Sequence, residues 1–206
     1  MAHSTRARTR LAREERREQI VDAAAAVFRG RDPAEVTFEE IADAAGVSRA
    51  LVYNYFGDRN GLVEAVYKRN VGILAWRSGE ALATTRGKEN ALRALVEVHV
   101  EFAQVDPAGY RYAAGEPAFA SLRELEDHRV AVIAGNFGGT LDAHVVSRGW
   151  LSAIQTMVLY WLDHPAGVGP ERLVDLITAF LRGAIAAVDE LGVALTPRWR
   201  IPEGAG

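Results

Sequence analysis

Apolar residues recur every three to four positions along most of this chain, and few segments show the strict alternation of a β-strand. This spacing is typical of amphipathic helices, and segments containing glycine or proline separate the helical runs. The pattern therefore predicts an all-α fold. The predicted helices cover about residues 13–29, 38–45, 49–56, 58–84, 91–104, a short segment around 110–112, 117–146 with a break near 135–139, 150–164 and 171–191.

Residues 37–59 predict two short helices joined by a tight turn. Thr37 and Glu40 form a Thr-x-x-Glu capping box, which starts a helix at Phe38. Gly46 ends that helix because the chain reversal needs a residue that tolerates a positive φ. Ser48 can cap the second helix through its hydroxyl. This segment is a candidate helix-turn-helix.

The second of these helices has a polar face that its packing does not need. Its buried side is predicted to hold Leu51, Val52, Tyr55 and Phe56. Its outward face carries Arg49, Ala50, Tyr53 and Asn54. Donors and acceptors on an exposed helix suit the major groove of DNA, where base edges are read. The alternative is that these are surface residues of an ordinary small helical unit.

The helix-turn-helix segment resembles the DNA-binding region of the tetracycline-repressor (TetR) family of bacterial transcriptional regulators. The resemblance spans about residues 15–65 and is carried by Thr37, Ile41, Ala42, Gly46, Val47, Ser48, Val52, Tyr53, Tyr55, Phe56, Arg59 and Leu62. Two departures from the family pattern occur, because the family often has Thr-Leu in place of Leu51-Val52 and Lys in place of Arg59. The resemblance implies phosphate contacts for Thr37, Ser48, Tyr53 and Arg59. It places Arg49, Ala50 and Asn54 nearer the base edges.

The charge distribution supports a nucleic-acid partner better than the net charge of −3 does. The first segment contains Arg6, Arg8, Arg10, Arg13, Arg16 and Arg17. Phosphate attraction is local because salt screens charges beyond about 8–10 Å. Residues 1–13 are predicted to be a disordered basic arm. This arm either reaches a DNA minor groove or is a solvated tail, and both interpretations stay open.

The last two predicted helices form a hairpin that is apolar on more than one side. A helix that is apolar on two sides must be buried on both, so one side needs a partner. Two such hairpins from two subunits would form a four-helix bundle. The predicted interface residues are Trp150, Ile154, Met157, Trp161, Leu173, Ile177, Phe180, Ala184 and Val188. The alternative is a hairpin wholly inside a monomer, but the resemblance implies dimers formed through these helices.

His99 lies on an otherwise apolar helix face and needs a hydrogen-bond partner if it is buried. It is either a satisfied core residue or part of a cavity for a planar or apolar small molecule. The candidate pocket residues are Trp76, His99, Phe102, Tyr110, Phe119, Trp150, Gln155 and Met157. Aromatic residues at helical spacing also form plain cores, so the sequence leaves this choice open.

No pattern in the sequence indicates catalysis. The chain has no cysteine, no Gly-x-Ser-x-Gly elbow and no phosphate-binding glycine loop. His128 follows Glu124, Glu126 and Asp127, but a charged helix face explains this run better than a metal site. We therefore expect no enzyme activity, no cofactor and no metal. The composition, 49% hydrophobic and 25% charged, is ordinary for a soluble protein, and we expect a cytoplasmic one without membrane attachment.

These observations predict a ligand-responsive, homodimeric DNA-binding regulator. The expected organisation is a basic arm over 1–13, a three-helix DNA-binding domain over 14–60, a helical ligand-binding and dimerisation domain over 61–195, and a flexible tail over 196–206. The expected partners are an operator duplex, a second copy of the chain and a small apolar or aromatic effector. A repressor is expected first, an activator second. A helical protein-interaction scaffold is the alternative from another class.

Overall fold

The computed structural model describes residues 2–29, 31, 33–115, 120–135, 139–164 and 167–191. Within these ranges every regular element is an α-helix, which confirms the predicted all-α class. The chain divides into two compact units, Met1–Asn70 and Val71–Gly206. The helices are α1 (Ala2–Val27), α2 (Phe38–Ala45), α3 (Arg49–Phe56), α4 (Arg59–Thr84), α5 (Lys88–Val105), α6 (Pro107–Ala114), α7 (Ala120–Gly135), α8 (Leu141–Asp163) and α9 (Pro170–Glu190).

The first unit is built by packing α1 against α2 and α2 against α3. Its core is apolar and contains Ile20, Ala24, Phe28, Ile41, Val52, Phe56, Leu62 and Val66. A side-chain amide also joins two helices, because Gln19 Nε2 donates to the carbonyl oxygen of Ala45 at 2.8 Å. Apolar burial and this cross-link hold α2 and α3 in place on α1.

The helix α1 begins earlier than the sequence predicted. Residues 2–13 were expected to be disordered, whereas α1 runs from Ala2 without interruption. The segment contains neither glycine nor proline and is rich in alanine and arginine, which are strong helix formers. A lack of apolar periodicity therefore did not mean a lack of helix. The predicted tail over 196–206 lies outside the described residues.

The predicted capping box and turn are confirmed. Glu40 Oε2 accepts hydrogen bonds from the Thr37 backbone N–H at 2.8 Å, while Thr37 Oγ1 accepts one from the Glu40 N–H at 3.2 Å. Gly46 has φ +63°, and its N–H donates to the carbonyls of Ala42 and Asp43. Ser48 Oγ then accepts from the Leu51 N–H at 3.3 Å and caps α3.

The division between the two units falls within α4, ten residues beyond the predicted boundary at residue 60. The start of α4 belongs to the first unit because Leu62 and Val66 are buried there and Arg69 Nε pairs with Asp22 Oδ1 of α1 at 2.5 Å. Asp58 precedes the helix as a cap, with its Oδ1 accepting from the Gly61 N–H at 2.9 Å.

In the second unit α5 packs against α6, α8 and α9, and α8 also packs against α7 and α9. The largest fully buried side chains are Leu74, Val96, Tyr110, Ile177 and Leu181. The predicted break near 135–139 is confirmed, since Gly139 has φ +68° and Thr140 caps α8. Across the described ranges, no helix has the length and apolarity needed to span a membrane.

Replacing Gly46 tests the turn between α2 and α3. A Cβ here would meet no atom within 4 Å, so the cost of Gly46→Ala is backbone strain alone. We expect a loss of about 1–2 kcal/mol in the free energy of unfolding, measured by urea denaturation. Gly46→Asn is the matched control, because asparagine tolerates positive φ and should lose less. Equal stability of the wild type and Gly46→Ala would contradict this account.

Candidate nucleic-acid interface and effector core

The helix α3 presents a polar face to solvent. Its inner side is closed by the buried residues Val52 and Phe56. The exposed side chains are Arg49, Ala50, Tyr53 and Asn54. This partition is the one that helical spacing predicted; the assignment of these residues to DNA stays a prediction.

Two side chains on this face form an ordered pair. Arg49 Nη2 donates to Tyr53 Oη at 3.3 Å, and the guanidinium carbon lies 5.5 Å from the ring centroid. The hydrogen bond to Tyr53 raises the pKa of Arg49, so the guanidinium stays charged. The Tyr53 ring in turn packs on Phe38 of α2, with centroids 4.5 Å apart and planes inclined by 59°. Phe38 therefore fixes the position from which Tyr53 and Arg49 project.

A cleft of about 320 Å³ lies beside this pair. It is lined by Thr37, Phe38, Glu39, Arg49, Tyr53, Asp58 and Arg59. Sequence reasoning did not single out Phe38 or Glu39, because a residue at the start of a helix looks like ordinary helix sequence until its neighbours are known. The cleft combines two guanidinium groups with hydroxyls, which are phosphate-binding groups, and two carboxylates, which oppose them.

The hydroxyls of Thr37 and Ser48 differ in the hydrogen-bonding capacity that they have free for a ligand. Thr37 Oγ1 donates to Glu40 Oε2 at 2.9 Å and accepts from the Glu40 N–H, so the capping box uses both its functions. The backbone hydrogen bond from Thr37 contributes most to lowering the pKa of Glu40 to about 2. The side-chain hydrogen bonds from Arg31 Nη1, at 2.8 Å, and from Thr37 lower it further. Ser48 Oγ accepts from Leu51 and keeps its proton for another acceptor.

Arg59 is half-buried and holds the segment before α2. Its Nη1 donates to the carbonyl oxygen of Pro33 at 2.9 Å and also to that of Ala34. The resemblance implied a phosphate contact for Arg59, and that contact would have to use its other N–H groups. Sequence alone gave no signal of the bonds to Pro33 and Ala34, which lie about 25 positions away in the chain.

Three of the early arginines lie against neighbouring side chains. The guanidinium of Arg13 is 5.8 Å from the Tyr55 ring centroid, and that of Arg17 is 5.3 Å from the Phe56 ring centroid. Arg16 Nη1 donates to Gln19 Oε1 at 2.8 Å. The side chains of Arg6, Arg8 and Arg10 lie outside the described residues.

The second unit contains a buried histidine–tyrosine pair. His99 Nδ1 and Tyr110 Oη are 3.0 Å apart, and Phe102 packs edge-on against Tyr110. Burial, with a smaller contribution from the charge of Arg129, lowers the pKa of His99 to about 3, and burial raises the pKa of Tyr110. Both rings are therefore neutral at physiological pH. The structure brings together three of the predicted pocket residues at this point.

Other predicted pocket residues lie elsewhere. Trp76 is 63% exposed on α4, so its assignment to a cavity was wrong; one aromatic on a long helix carries no signal of its direction. Trp150 packs with Ala134 and Ala143, while Met157 is half-buried. Phe119 lies outside the described residues. Gln155 is buried on α8, where its Nε2 is 3.5 Å from Glu126 Oε1.

The burial of Glu126 contradicts the interpretation of its segment as a charged outer face. Glu126 is buried on α7 and accepts from Arg129 Nη1 at 2.8 Å through Oε2. Asp127 and His128 are exposed, as that interpretation predicted. Among the described residues no three histidine or acidic side chains are grouped in a way that could hold a metal ion. The sequence did not show that Glu126 has its partner one turn away and a second contact on α8.

The predicted dimer residues divide into two sets. Ile154, Leu173 and Ile177 are buried within the subunit, so they cannot form a surface for a partner. Trp161 is also committed internally, with its Nε1 donating to the carbonyl oxygen of Val168 at 2.8 Å. Trp150, Met157, Ala184 and Val188 are half-buried. Phe180 is 58% exposed on α9, one helical turn from the exposed Leu176, and Tyr160 of α8 is exposed as well.

The neutral state of His99 predicts a pH dependence of stability. Its pKa is about 3 when folded and 6.5 in the reference state, so the unfolded chain binds more protons between these values. Stability is therefore lost as the pH falls below 6.5, by about 2 kcal/mol at pH 5. His99→Gln keeps a hydrogen-bonding group without titrating. Urea denaturation at pH 7.5 and 5 should show a smaller loss for this variant, and equal losses would exclude a buried neutral His99.

Comparison with known proteins gives the same assignment along the whole chain. A family model described as bacterial regulatory proteins, tetR family, matches residues 20–66. The HTH-type transcriptional activator FasR of Mycolicibacterium smegmatis is 30% identical over 200 residues, which cover 91% of this chain and 90% of that protein.

Solved structures agree with this. A tetR-family regulator from Streptomyces coelicolor has a TM-score of 0.65 and 29% identity, covering 89% of this chain and 87% of that one. FadR from Bacillus subtilis, solved in complex with stearoyl-CoA, shares the fold at a TM-score of 0.67 and 18% identity, covering 80% and 96%. The full-length relative and the match to the helix-turn-helix lead to one conclusion: this chain belongs to the TetR family of bacterial transcriptional regulators and is a DNA-binding regulator rather than an enzyme.

Proposed function

We propose that this protein is a homodimeric, ligand-responsive regulator that binds a palindromic operator through α3. The observation that carries the proposal is the ordered face of α3, where Phe38 supports Tyr53 and Tyr53 binds Arg49. Two such helices related by a two-fold axis fit successive major grooves when they are about 34–36 Å apart. Arg49, Ala50 and Asn54 face the base edges in this proposal. Thr37, Ser48, Tyr53 and Arg59 face the backbone, with Ser48 the best-placed hydroxyl donor.

The second copy covers the outer side of the α8–α9 hairpin. Tyr160 of α8 and Leu176 and Phe180 of α9 are exposed on these two helices. Gly183 is exposed on α9 and would allow another helix to approach closely. Burying these side chains against an identical hairpin removes apolar surface from water. This corrected set replaces Ile154, Leu173 and Ile177 in the proposed interface.

The effector of this proposal is a small molecule with an apolar or aromatic body that binds within the second unit. The support is the buried group around His99, Phe102 and Tyr110, together with a structural neighbour solved with stearoyl-CoA. A ligand changes DNA affinity only if it binds two conformations of the dimer unequally. The helix α4 is the proposed lever, since it contributes residues to both units. The regulator acts in the cytoplasm, where bacterial DNA lies.

The direction of regulation has two candidates. A repressor released by its effector is the first, and an activator is the second. The second is favoured by one observation, because the 30%-identical relative FasR is named a transcriptional activator. Recovery of bound DNA from cells, followed by transcript levels of the adjacent genes with and without this protein, tests the function and separates the two. Absence of any reproducible bound sequence would contradict both.

Removing the polar groups of α3 should weaken operator binding without disturbing the fold. Tyr53→Phe keeps the ring on Phe38 but loses the oxygen that holds Arg49, and Arg49→Ala removes the guanidinium. We expect each to cost about 1–3 kcal/mol of binding free energy, measured by fluorescence anisotropy on the recovered operator. Arg86→Ala, an exposed arginine of the second unit, is the control and should bind as the wild type does. Unchanged operator affinity in both α3 variants would show that the DNA-binding interface is on another surface.

A charge at the centre of the proposed dimer surface should separate the subunits. We expect Phe180→Glu to convert the dimer into a monomer, measured by sedimentation velocity, because an unpaired carboxylate in an apolar interface is costly. Val132→Glu is the matched control, since Val132 is 57% exposed on α7, outside the proposed interface. This control should stay dimeric. A dimeric Phe180→Glu variant, or a monomeric Val132→Glu variant, would place the interface on another surface.

A further inference from the structure

We propose that Arg129 is the anchor for the carboxylate of an amphipathic effector, and that Glu126 is the internal counter-ion that holds this position until the ligand binds. The inference deepens the proposed ligand response, on which it rests, by naming the chemical class of the effector. It adds an acidic group to the apolar or aromatic body that the sequence suggested.

Buried polar side chains from four helices form two groups in the second unit. His99 of α5 pairs with Tyr110 of α6, while Glu126 of α7 pairs with Arg129 and lies 3.5 Å from Gln155 of α8. The charge of Arg129 also acts to lower the pKa of both His99 and Tyr110. Apolar residues of the same helices, Phe102, Val130 and Leu151, are buried as well. A few polar groups within an apolar interior are typical of a small-molecule site.

The guanidinium of Arg129 has more donors than the described residues use. Arginine carries five N–H donors. In the described part of the chain it donates one hydrogen bond, from Nη1 to Glu126 Oε2 at 2.8 Å. The side chains of Arg129 and Glu126 are only 12% and 7% exposed, respectively. A buried ion pair contributes little net stability because desolvation offsets the attraction, so fold stability alone does not explain its presence. The unused donors match the planar geometry of a second carboxylate.

A second buried polar atom lies on α8. Ser147 Oγ is buried and has no hydrogen-bond partner among the described residues. Ser147 and Gln155 both lie on the buried side of α8, the helix that packs against α7. An unsatisfied buried hydroxyl is uncommon and calls for a partner. A ligand that lies along the α7–α8 contact, with its acid at Arg129, could use the Ser147 hydroxyl of the same helix pair as a hydrogen-bond partner.

Charge balance predicts that binding takes up one proton. Glu126 and Arg129 are together neutral, so a bound carboxylate would leave one net negative charge in an apolar interior, which is costly. Uptake of one proton together with the ligand restores neutrality. The other titratable and charged groups around the site do not supply this compensating positive charge. His99 on α5 and Tyr110 on α6 are neutral, Arg77 of α4 lies over the Phe102 ring at 5.5 Å, and Arg148 of α8 pairs with Asp127 at the surface.

Calorimetry on the full-length protein tests this with two acids and their amides: decanoate against decanamide, and phenylacetate against phenylacetamide. We expect at least one acid to bind about tenfold or more tightly than its amide, since a charged hydrogen-bonded pair is lost in the amide. Titrations in buffers of different ionisation enthalpy should show uptake of one proton. Arg129→Gln should lose the preference for the acid. Glu126→Gln should bind the acid more tightly and without proton uptake, because the competing carboxylate is gone.

The surface pair on the same two helices provides a matched control. Arg148→Gln and Asp127→Asn change an exposed Arg–Asp pair, and both should bind the acids as the wild type does. The proposal is overturned if acids and amides bind equally, if neither acid binds, if Arg129→Gln keeps the preference, or if Glu126→Gln weakens acid binding. Since calorimetry needs no DNA, an acid that binds without releasing or recruiting the operator would contradict the ligand response while leaving this site intact.

Discussion

The contact between the rings of Phe38 and Tyr53 is the interaction on which the proposed DNA-binding surface depends. Phe38 is the first residue of α2, and the capping box of Thr37 and Glu40 fixes where that helix begins. The ring of Phe38 then supports Tyr53 on α3, and Tyr53 orients the guanidinium of Arg49. A local hydrogen-bonding motif thus determines, through one aromatic contact, the direction in which a charged side chain projects from α3.

The features that the sequence predicted well are those encoded by residues close together in the chain. The capping box, the glycine turn, the Ser48 cap and the break before α8 each depend on neighbours within about five positions. Their chemistry leaves few alternatives, so pattern was enough. The same reasoning placed Arg49, Ala50, Tyr53 and Asn54 on one exposed face, because helical period and a short loop settle which side is left outside.

The features that the sequence could not predict depend on residues far apart. Glu126 was interpreted as part of a solvated face, because nothing in its own segment indicates that the amide of Gln155 lies near it on another helix. The hairpin of α8 and α9 is apolar on several sides, and periodicity cannot tell which side faces the chain's own core; Ile154 and Ile177 were therefore assigned to the wrong surface. Arg59 matched a phosphate-binding position by family pattern, yet it also holds two carbonyls about 25 residues earlier.

The continuity of α4 across the boundary between the units limits how the two can be recombined. The division at Asn70 and Val71 falls inside a helix, where no loop can absorb a change in length. Inserting one residue there would turn every following side chain by about 100° and advance it by about 1.5 Å. A chimaera that joins this first unit to another second unit must therefore preserve helical phase at this junction. Lengthening by about seven residues, nearly two full turns, disturbs that phase far less than lengthening by two.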